Sequence, residues 1–189
     1  LSTTSEPSKS ATYEALRIAK EAGCMISYDP NYRAPLWESE EVAIEAMLSL
    51  MPYADILKVS DDEMKLLTGT GNFDEGSQKL ADYGITLVCV SCGSEGAFFR
   101  RGNDFGQVPA FKVCAVDTNG AGDAFFGAIH YQLREKSLTD LEQIPLNELE
   151  AIIRFANAAG ALAVLKKGAI PAMANMETIC SLLGKSRTG

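Results

Sequence analysis

Three short runs place polar side chains where the backbone must turn. In Gly120-Ala121-Gly122-Asp123 two glycines and an alanine precede a single acid, just before a stretch with helical apolar spacing. Small residues at such a turn let backbone N–H groups converge, and a helix N-terminus adds its dipole, so the turn suits a phosphate or a developing oxyanion. A carboxylate at that place repels a resting anion. As a base, however, Asp123 can take the proton from a hydroxyl that attacks a phosphoryl group. Simple capping of the helix start by Asp123 is the alternative.

The second run, Ser60-Asp61-Asp62-Glu63, follows an apolar strand. Its local chemistry is a capping box, with Ser60 capping the helix, Glu63 reaching back, and the two aspartates complementing the dipole. The third, Asp29-Pro30-Asn31-Tyr32-Arg33, ends another strand, because Pro30 cannot donate to a ladder. Arg33 there is either an ordinary surface residue or, beside Asn31, a fork of donors for a phosphate or carboxylate. Cys89-Val90-Ser91-Cys92 has the spacing of a redox or zinc motif. It lies on a strand, where residues three apart point to opposite faces, and no second pair completes a zinc site. A redox protein using Cys89 and Cys92 is therefore a minor alternative, decided by thiol titration.

The elements that must position these groups alternate along the chain. Apolar spacing of three to four predicts helices over 8–22, 39–50, 61–67, 75–83, 121–134, 146–166 and 175–183. Short apolar runs predict strands over 24–28, 56–59, 87–91, 97–100 and 111–116. The order of strand, helix, strand, helix, strand predicts an α/β fold with a mostly parallel sheet and helices on both faces. The glycines at 93 and 96 predict a hairpin between the third and fourth strands. In open α/β sheets ligands gather beyond the carboxyl ends of strands, where the runs above fall. Asn157 sits within an alanine-rich helix, where Asn has poor propensity and needs a partner.

The 189 residues, 47% hydrophobic, suffice for one sizeable core. Seventeen basic and twenty-five acidic residues give a net charge of −8 without a basic cluster, which argues against nucleic acid and anionic membranes as partners. An anionic nucleotide can still be held by local N–H groups and a metal. Neither a signal peptide nor a membrane-length apolar run is recognisable. Five cysteines, an odd number among mostly apolar neighbours, suit reduced thiols, so a cytoplasmic protein is expected. Gly184-Lys185-Ser186 imitates the end of a P-loop, but Ile179 stands where its first glycine belongs. Gly120-x-Gly122 opens a dinucleotide fingerprint, but its third glycine would fall on Phe125. The lone His130 lies within the helix after Asp123 and reads as a helix residue.

The run Asp117-Thr118-Asn119-Gly120-Ala121-Gly122-Asp123-Ala124-Phe125 resembles the C-terminal signature of the ribokinase-like (PfkB) carbohydrate kinases, with Asn119 where that family often has threonine. Segments 27–33, 56–63, 90–96 and 155–161 look like further landmarks of that family, in its order. The Asp-Pro-Asn-Tyr-Arg wording with Leu36-Trp37 is similar to fructokinases and 2-keto-3-deoxygluconate kinases. The resemblance implies a ribokinase-like three-layer α/β/α fold and an ATP-dependent transfer of the γ-phosphoryl group to a sugar hydroxyl. It implies Asp123 as base, with N–H groups of the Gly120, Ala121 and Gly122 turn on the phosphoryl oxygens. Glu63 would organise Mg²⁺ through water; Ser60 stands where the family has Asn, and its hydroxyl, on a shorter side chain, can still hydrogen-bond. Ser91, Gly93 and Gly96 would approach the nucleotide. Asn157 would lie at the adenine end, although a helix-packing hydrogen bond serves it equally. The loop around Gly168 would close over adenine and, with Asp117 and Asn119, frame a site for a monovalent cation such as K⁺.

The opening segment, 1–7, resembles a mid-protein stretch of these kinases, so the chain reads as the C-terminal part, 1–189, of a single kinase domain, lacking the N-terminal segment and lid. A non-catalytic nucleotide-binding module is the rival reading. With much of the sugar pocket absent, weak turnover and self-association as a homo-oligomer through uncovered apolar surface are expected.

Overall fold

The first helix, α1 (Ser8–Glu21), leads to a two-residue strand, β1 (Ser27–Tyr28), and then to α2 (Glu40–Leu48) and β2 (Ile56–Ser60). These are followed by α3 (Asp61–Thr68), α4 (Phe73–Ala81) and β3 (Leu87–Ser91), and by the pair β4 (Ala97–Arg101) and β5 (Asp104–Val108). The chain ends in helices α5 (Ala121–Leu133), α6 (Leu138–Gln143), α7 (Leu146–Ala163) and α8 (Met176–Lys185). This computed structural model describes residues 2–185; Leu1 of the opening segment and Ser186 of the P-loop imitation lie outside them.

The five strands form one open sheet in the order β1-β2-β3-β4-β5. β1 and β2 are parallel, with Ser27 opposite Ile56 and Tyr28 opposite Leu57. The N–H groups of Asp55 and Ile56 donate to the Ile26 carbonyl, and those of Thr86 and Leu87 donate likewise to Asp55, so β3 starts beside the start of β2. β3 and β4 are joined by a tight turn at Gly93–Glu95, closed by a 2.8 Å bond from Cys92 N–H to the Gly96 carbonyl. β4 and β5 are separated by two residues alone, too few for a crossover, so both of these pairs are hairpins.

Two expected strands changed. The run 24–28 narrows to Ser27–Tyr28, because Cys24 N–H is held by the Ala19 carbonyl at the end of α1 and Ile26 N–H by the Asp55 carboxylate at 2.7 Å. The run 111–116 is not a strand at all. Val116 and Asp117 N–H both donate to the Val164 carbonyl at the end of α7, which ties the segment to a helix instead of a ladder. The fifth strand is β5, whose sequence Asp-Phe-Gly-Gln-Val carried too weak an alternation to stand out. α6 was also unforeseen, although Ser137 and Asp140 form a full capping box at its start. α7 stops at Ala163, three residues before the expected end.

The chain forms two compact units. One comprises residues up to Val90 with Phe98–Phe105; the other comprises Ser91–Ala97 and the residues from Gly106 onward. In the first, Met47, Leu57, Val59, Met64, Leu80, Leu87 and Phe99 are fully or almost fully buried. Arg100, buried as well, is satisfied by Ser77, Gln78, the Gly102 carbonyl and Asp74. In the second, α5 packs on α7, burying Phe125, Ile129 and Leu133 with Leu149, Ile153 and the alanine stripe Ala156, Ala159 and Ala163. The small stripe permits close approach: a Cβ on Gly160 would sit 3.3 Å from the Ala121 carbonyl oxygen. A fully buried side chain of this size contributes about 1.5–3 kcal/mol, so the start of α5 is held by its own packing.

Candidate active site

The second unit builds the small-residue turn. Gly120 caps α5 in the left-handed region, at φ +80°, where side chains are strained. A Cβ there would also lie 2.8 Å from the Ala169 Cβ. Ala124 N–H to the Gly120 carbonyl, at 2.8 Å, opens the helical ladder. The N–H groups of Gly122 and Asp123 therefore belong to the first turn, ahead of that ladder. Ala121 N–H reaches back to the Thr118 carbonyl, at a long 3.3 Å. Asp123 is exposed in this first turn and lines a cavity of about 330 Å³, with Gly127 and Tyr131 along α5, Phe155 on α7, Met173 in the segment before α8, and Met176 at the start of that helix.

Asp117 is fixed next to this turn. Its Oδ2 accepts from Gly168 N–H at 2.9 Å and its Oδ1 from Asn119 N–H at 3.0 Å. Those two backbone donors, Gly168 foremost, hold its carboxyl below the ordinary carboxylate range. The structure thus brings Asp117, Asn119, Gly120 and Gly168 together, with Gly168 itself at φ +87°.

A second group of expected residues converges on one stretch of backbone. Asn157 is buried and its amide donates to the carbonyls of Val108, at 2.9 Å, and Pro109, at 3.3 Å. Gly96 faces the same stretch at φ +101°; a Cβ there would meet the Val108 oxygen at 2.1 Å. Asn157 therefore acts as the packing hydrogen bond, and Gly96 is required by close backbone approach. Gly93, at φ +52°, lies in the tight turn, and Ser91 ends β3.

In the first unit Ser60 and Glu63 complete both halves of the capping box. Glu63 does more. Its Oε2 accepts from Ser60 N–H at 2.8 Å, and its Oε1 accepts from Tyr32 N–H at 2.7 Å, so this buried carboxylate also holds the loop after β1. Asn31 sits in that loop at φ 49°, with its N–H on Asp29 Oδ1 at 3.1 Å. Arg33 is exposed and donates from one guanidinium nitrogen to the Tyr32 carbonyl at 2.9 Å. The structure thus brings Asn31, Arg33, Ser60 and Glu63 into one network.

The sequence reading missed Lys58, which is buried and paired with Asp29 at 3.1 Å. The available signal was a single cation within the apolar run Ile-Leu-Lys-Val of β2. The cavity lining contributed by Tyr131, Met173 and Met176 was also missed, since it depends on how α5, α7 and α8 meet. His130 lies against Phe126, ring centroids 4.3 Å apart, as a helix residue; desolvation lowers its pKa. Cys89 and Cys92 are buried, and neither forms a disulfide. Burial pushes the Cys89 thiol up to about 12, which removes the thiolate that disulfide exchange needs.

Each oxygen of Glu63 accepts one N–H and retains a lone pair. Among the described residues no three His, Cys, Asp or Glu side chains gather into a metal cage. That set fits a divalent ion carried mainly by phosphate oxygens and water. No described helix is long and apolar enough to cross a membrane.

Comparison with known proteins identifies the family and the fold. The model of the family described as pfkB family carbohydrate kinase matches residues 1–176. A fructokinase-2 of Zea mays is 42% identical over 188 residues, covering 98% of this chain and 55% of the relative. A fructokinase-1 of Oryza sativa subsp. japonica is 41% identical, covering 97% of this chain and 56% of its own length. The chain thus spans about half the length of these curated relatives. Among solved structures, a fructokinase double mutant from Vibrio cholerae, with fructose, ADP and potassium bound, superposes with a TM-score of 0.87 at 33% identity, over 96% of this chain and 57% of that one. A fructokinase from Xylella fastidiosa with bound ATP gives 0.90 at 28% identity, over 98% and 60%. The fold is ribokinase-like, as expected.

Proposed function

Since the chain belongs to the pfkB family of carbohydrate kinases, we propose that it serves in the transfer of the γ-phosphoryl group of ATP to a hydroxyl of a sugar, with fructose as acceptor. One observation carries this reading: Asp123 stands in the first turn of α5, beside free-turn N–H donors and at the edge of a cavity. A base and a cluster of anion donors within one helical turn is what in-line attack by a hydroxyl on a phosphoryl group requires. Asp123 takes the hydroxyl proton as the new O–P bond forms and the bond to the leaving ADP oxygen breaks. The N–H groups of Gly122, and of Ala121 on giving up its long bond to Thr118, stabilise the charge on the phosphoryl oxygens. The positive end of the helix adds to that stabilisation.

Fructose as acceptor rests on the relatives, which are fructokinases at about 40% identity, one of whose structural counterparts holds fructose and ADP. In the first unit, Arg33 supplies guanidinium donors for an anionic group, and Glu63 holds the loop that carries it. Glu63 and Ser60 would hold a bound Mg²⁺ through water, and the ion would supply charge neutralisation on the nucleotide phosphates. Asp117, Asn119 and the Gly168 loop would hold a monovalent cation, a reading supported by the potassium bound in the Vibrio cholerae protein. Gly93, Gly96 and Ser91 shape the nucleotide side, with Asn157 supporting them through the Val108–Pro109 backbone.

Calorimetric titration with Mg-ATP, followed by an assay of fructose-dependent ADP release, tests the proposal. Binding of Mg-ATP and an ADP release that vanishes in Asp123→Ala support it. A folded protein that binds no Mg-ATP overturns it.

A further inference from the structure

Lys58 is the unexpected charge of the first unit. It is 7% exposed, in the middle of β2, where its neighbours Leu57 and Val59 are fully buried. A buried ammonium is costly unless it is paired, and a buried ion pair is often no more stabilising than apolar residues of similar volume. Fold stability alone therefore gives little reason for a lysine at this position. Its contacts give a better one. Lys58 Nζ lies 3.1 Å from Asp29 Oδ2, and both side chains are largely removed from water, at 9% and 17% exposure.

Asp29 is the first residue of the loop that leaves β1. Its other oxygen accepts from Asn31 N–H, which bends the chain into the left-handed conformation of Asn31. One residue on, Tyr32 N–H is held by Glu63. Arg33 follows directly, and its bond to the Tyr32 carbonyl makes its position a consequence of that loop. The path from β2 to the exposed guanidinium is thus continuous: Lys58, Asp29, the turn at Asn31, Tyr32, Arg33.

We infer that Lys58 is a positioning residue, which by pairing with Asp29 holds the Asn31–Arg33 loop in place so that Arg33 meets a phosphate oxyanion of the bound nucleotide. This rests on the kinase reading above for its ligand, and on the geometry of the first unit for the loop. Lys58 touches neither substrate nor nucleotide; it acts through Asp29. A neutral residue of similar length leaves Asp29 without its cation, and the turn at Asn31 loses its fixed partner.

Site-resolved amide hydrogen exchange and Mg-ATP calorimetry on Lys58→Met, Lys58→Arg and Asp29→Asn test the inference. In Lys58→Met, exchange at Asn31 and Tyr32 should quicken by about tenfold or more, the scale of losing one charge-assisted bond, while β2 and β3 amides keep their protection. Mg-ATP affinity should fall by a similar factor, and Lys58→Arg should recover part of both. Unchanged exchange at Asn31 and Tyr32 overturns the inference. So does faster exchange throughout the first unit, which would make Lys58 a support of the whole core, and so does a released loop with undiminished Mg-ATP affinity. If Lys58→Met does not fold, Asp29→Asn decides by the same amides, with local release expected and wild-type protection refuting. A wild-type protein that binds no Mg-ATP would refute the kinase reading, while the exchange data still decide whether Lys58 holds the loop.

Discussion

Replacing Gly120 and Gly168 by alanine, one at a time, separates two costs that the turn before α5 combines. Both residues lie in the left-handed region, at φ +80° and +87°, where an L side chain costs about 1–2 kcal/mol. At Gly168 the added methyl meets nothing closer than the Pro171 Cδ at 3.6 Å, an ordinary contact, so Gly168→Ala should lose about 1–2 kcal/mol and no more. At Gly120 the methyl would lie 2.8 Å from the Ala169 Cβ and 3.0 Å from its Cα. Backbone must then move, which adds about 1–3 kcal/mol as an overpacking cost, for a total of about 2–5 kcal/mol. Both residues sit in the same unit, so urea unfolding followed by one probe compares them directly, with a drop in midpoint at constant slope for each. Gly120→Ala should also weaken Mg-ATP binding, because the displaced Ala169 segment adjoins the Gly168 N–H that holds Asp117. Equal midpoint shifts for the two variants, or a Gly120→Ala protein as stable as wild type, would refute the argument.

Three further outcomes are expected. Asp123→Ala should lower fructose-dependent ADP release by about a hundredfold or more with little change in Mg-ATP affinity, and near-normal release would remove Asp123 from the role of base. With an Asp117 pKa held below its unfolded value, the carboxylate's stabilisation is present above the ordinary range near 4 and is lost as pH falls through the folded value. Asp117→Asn should therefore flatten the acid side of the stability profile, and a profile identical to wild type below pH 4 would contradict this. A thiol reagent at neutral pH should label Cys24, Cys114 and Cys180 in the native protein and reach Cys89 and Cys92 on unfolding alone; rapid labelling of Cys89 would show that its strand opens.

What the sequence disclosed depended on how local the cause was. The turn at Gly120–Asp123 and the box at Ser60–Glu63 were legible because each is completed within four residues, where glycine freedom and helix capping act. The helices over 8–22 and 121–134 were placed within a residue of α1 and α5 at either end, since their apolar spacing persists over several turns. The bond from Tyr32 to Glu63 spans 31 positions and left no local trace. Lys58 looked like an ordinary lysine until β1 brought Asp29 beside it. The apolar residues of 111–116 had strand composition but no ladder partner, and composition cannot report a partner that is missing. For Asn157 the sequence left a packing bond and a ligand contact open, and the carbonyls of Val108 and Pro109 supply the former.

The close passage of Gly160 past the Ala121 carbonyl has a mechanical consequence. The first turn of α5 is seated backbone against backbone, with no long side chain between to bend or switch rotamer. Its tolerance is thus a few tenths of an ångström, set by the separation of two helix axes. An added methyl at position 160 would act as a shim under the turn proposed to bind phosphate. Misplacement of reacting groups by about 1 Å can cost a hundredfold in rate, so under the proposed kinase role the spacing between α5 and α7 would be a dial on turnover that can be moved while the buried core of both helices stays intact.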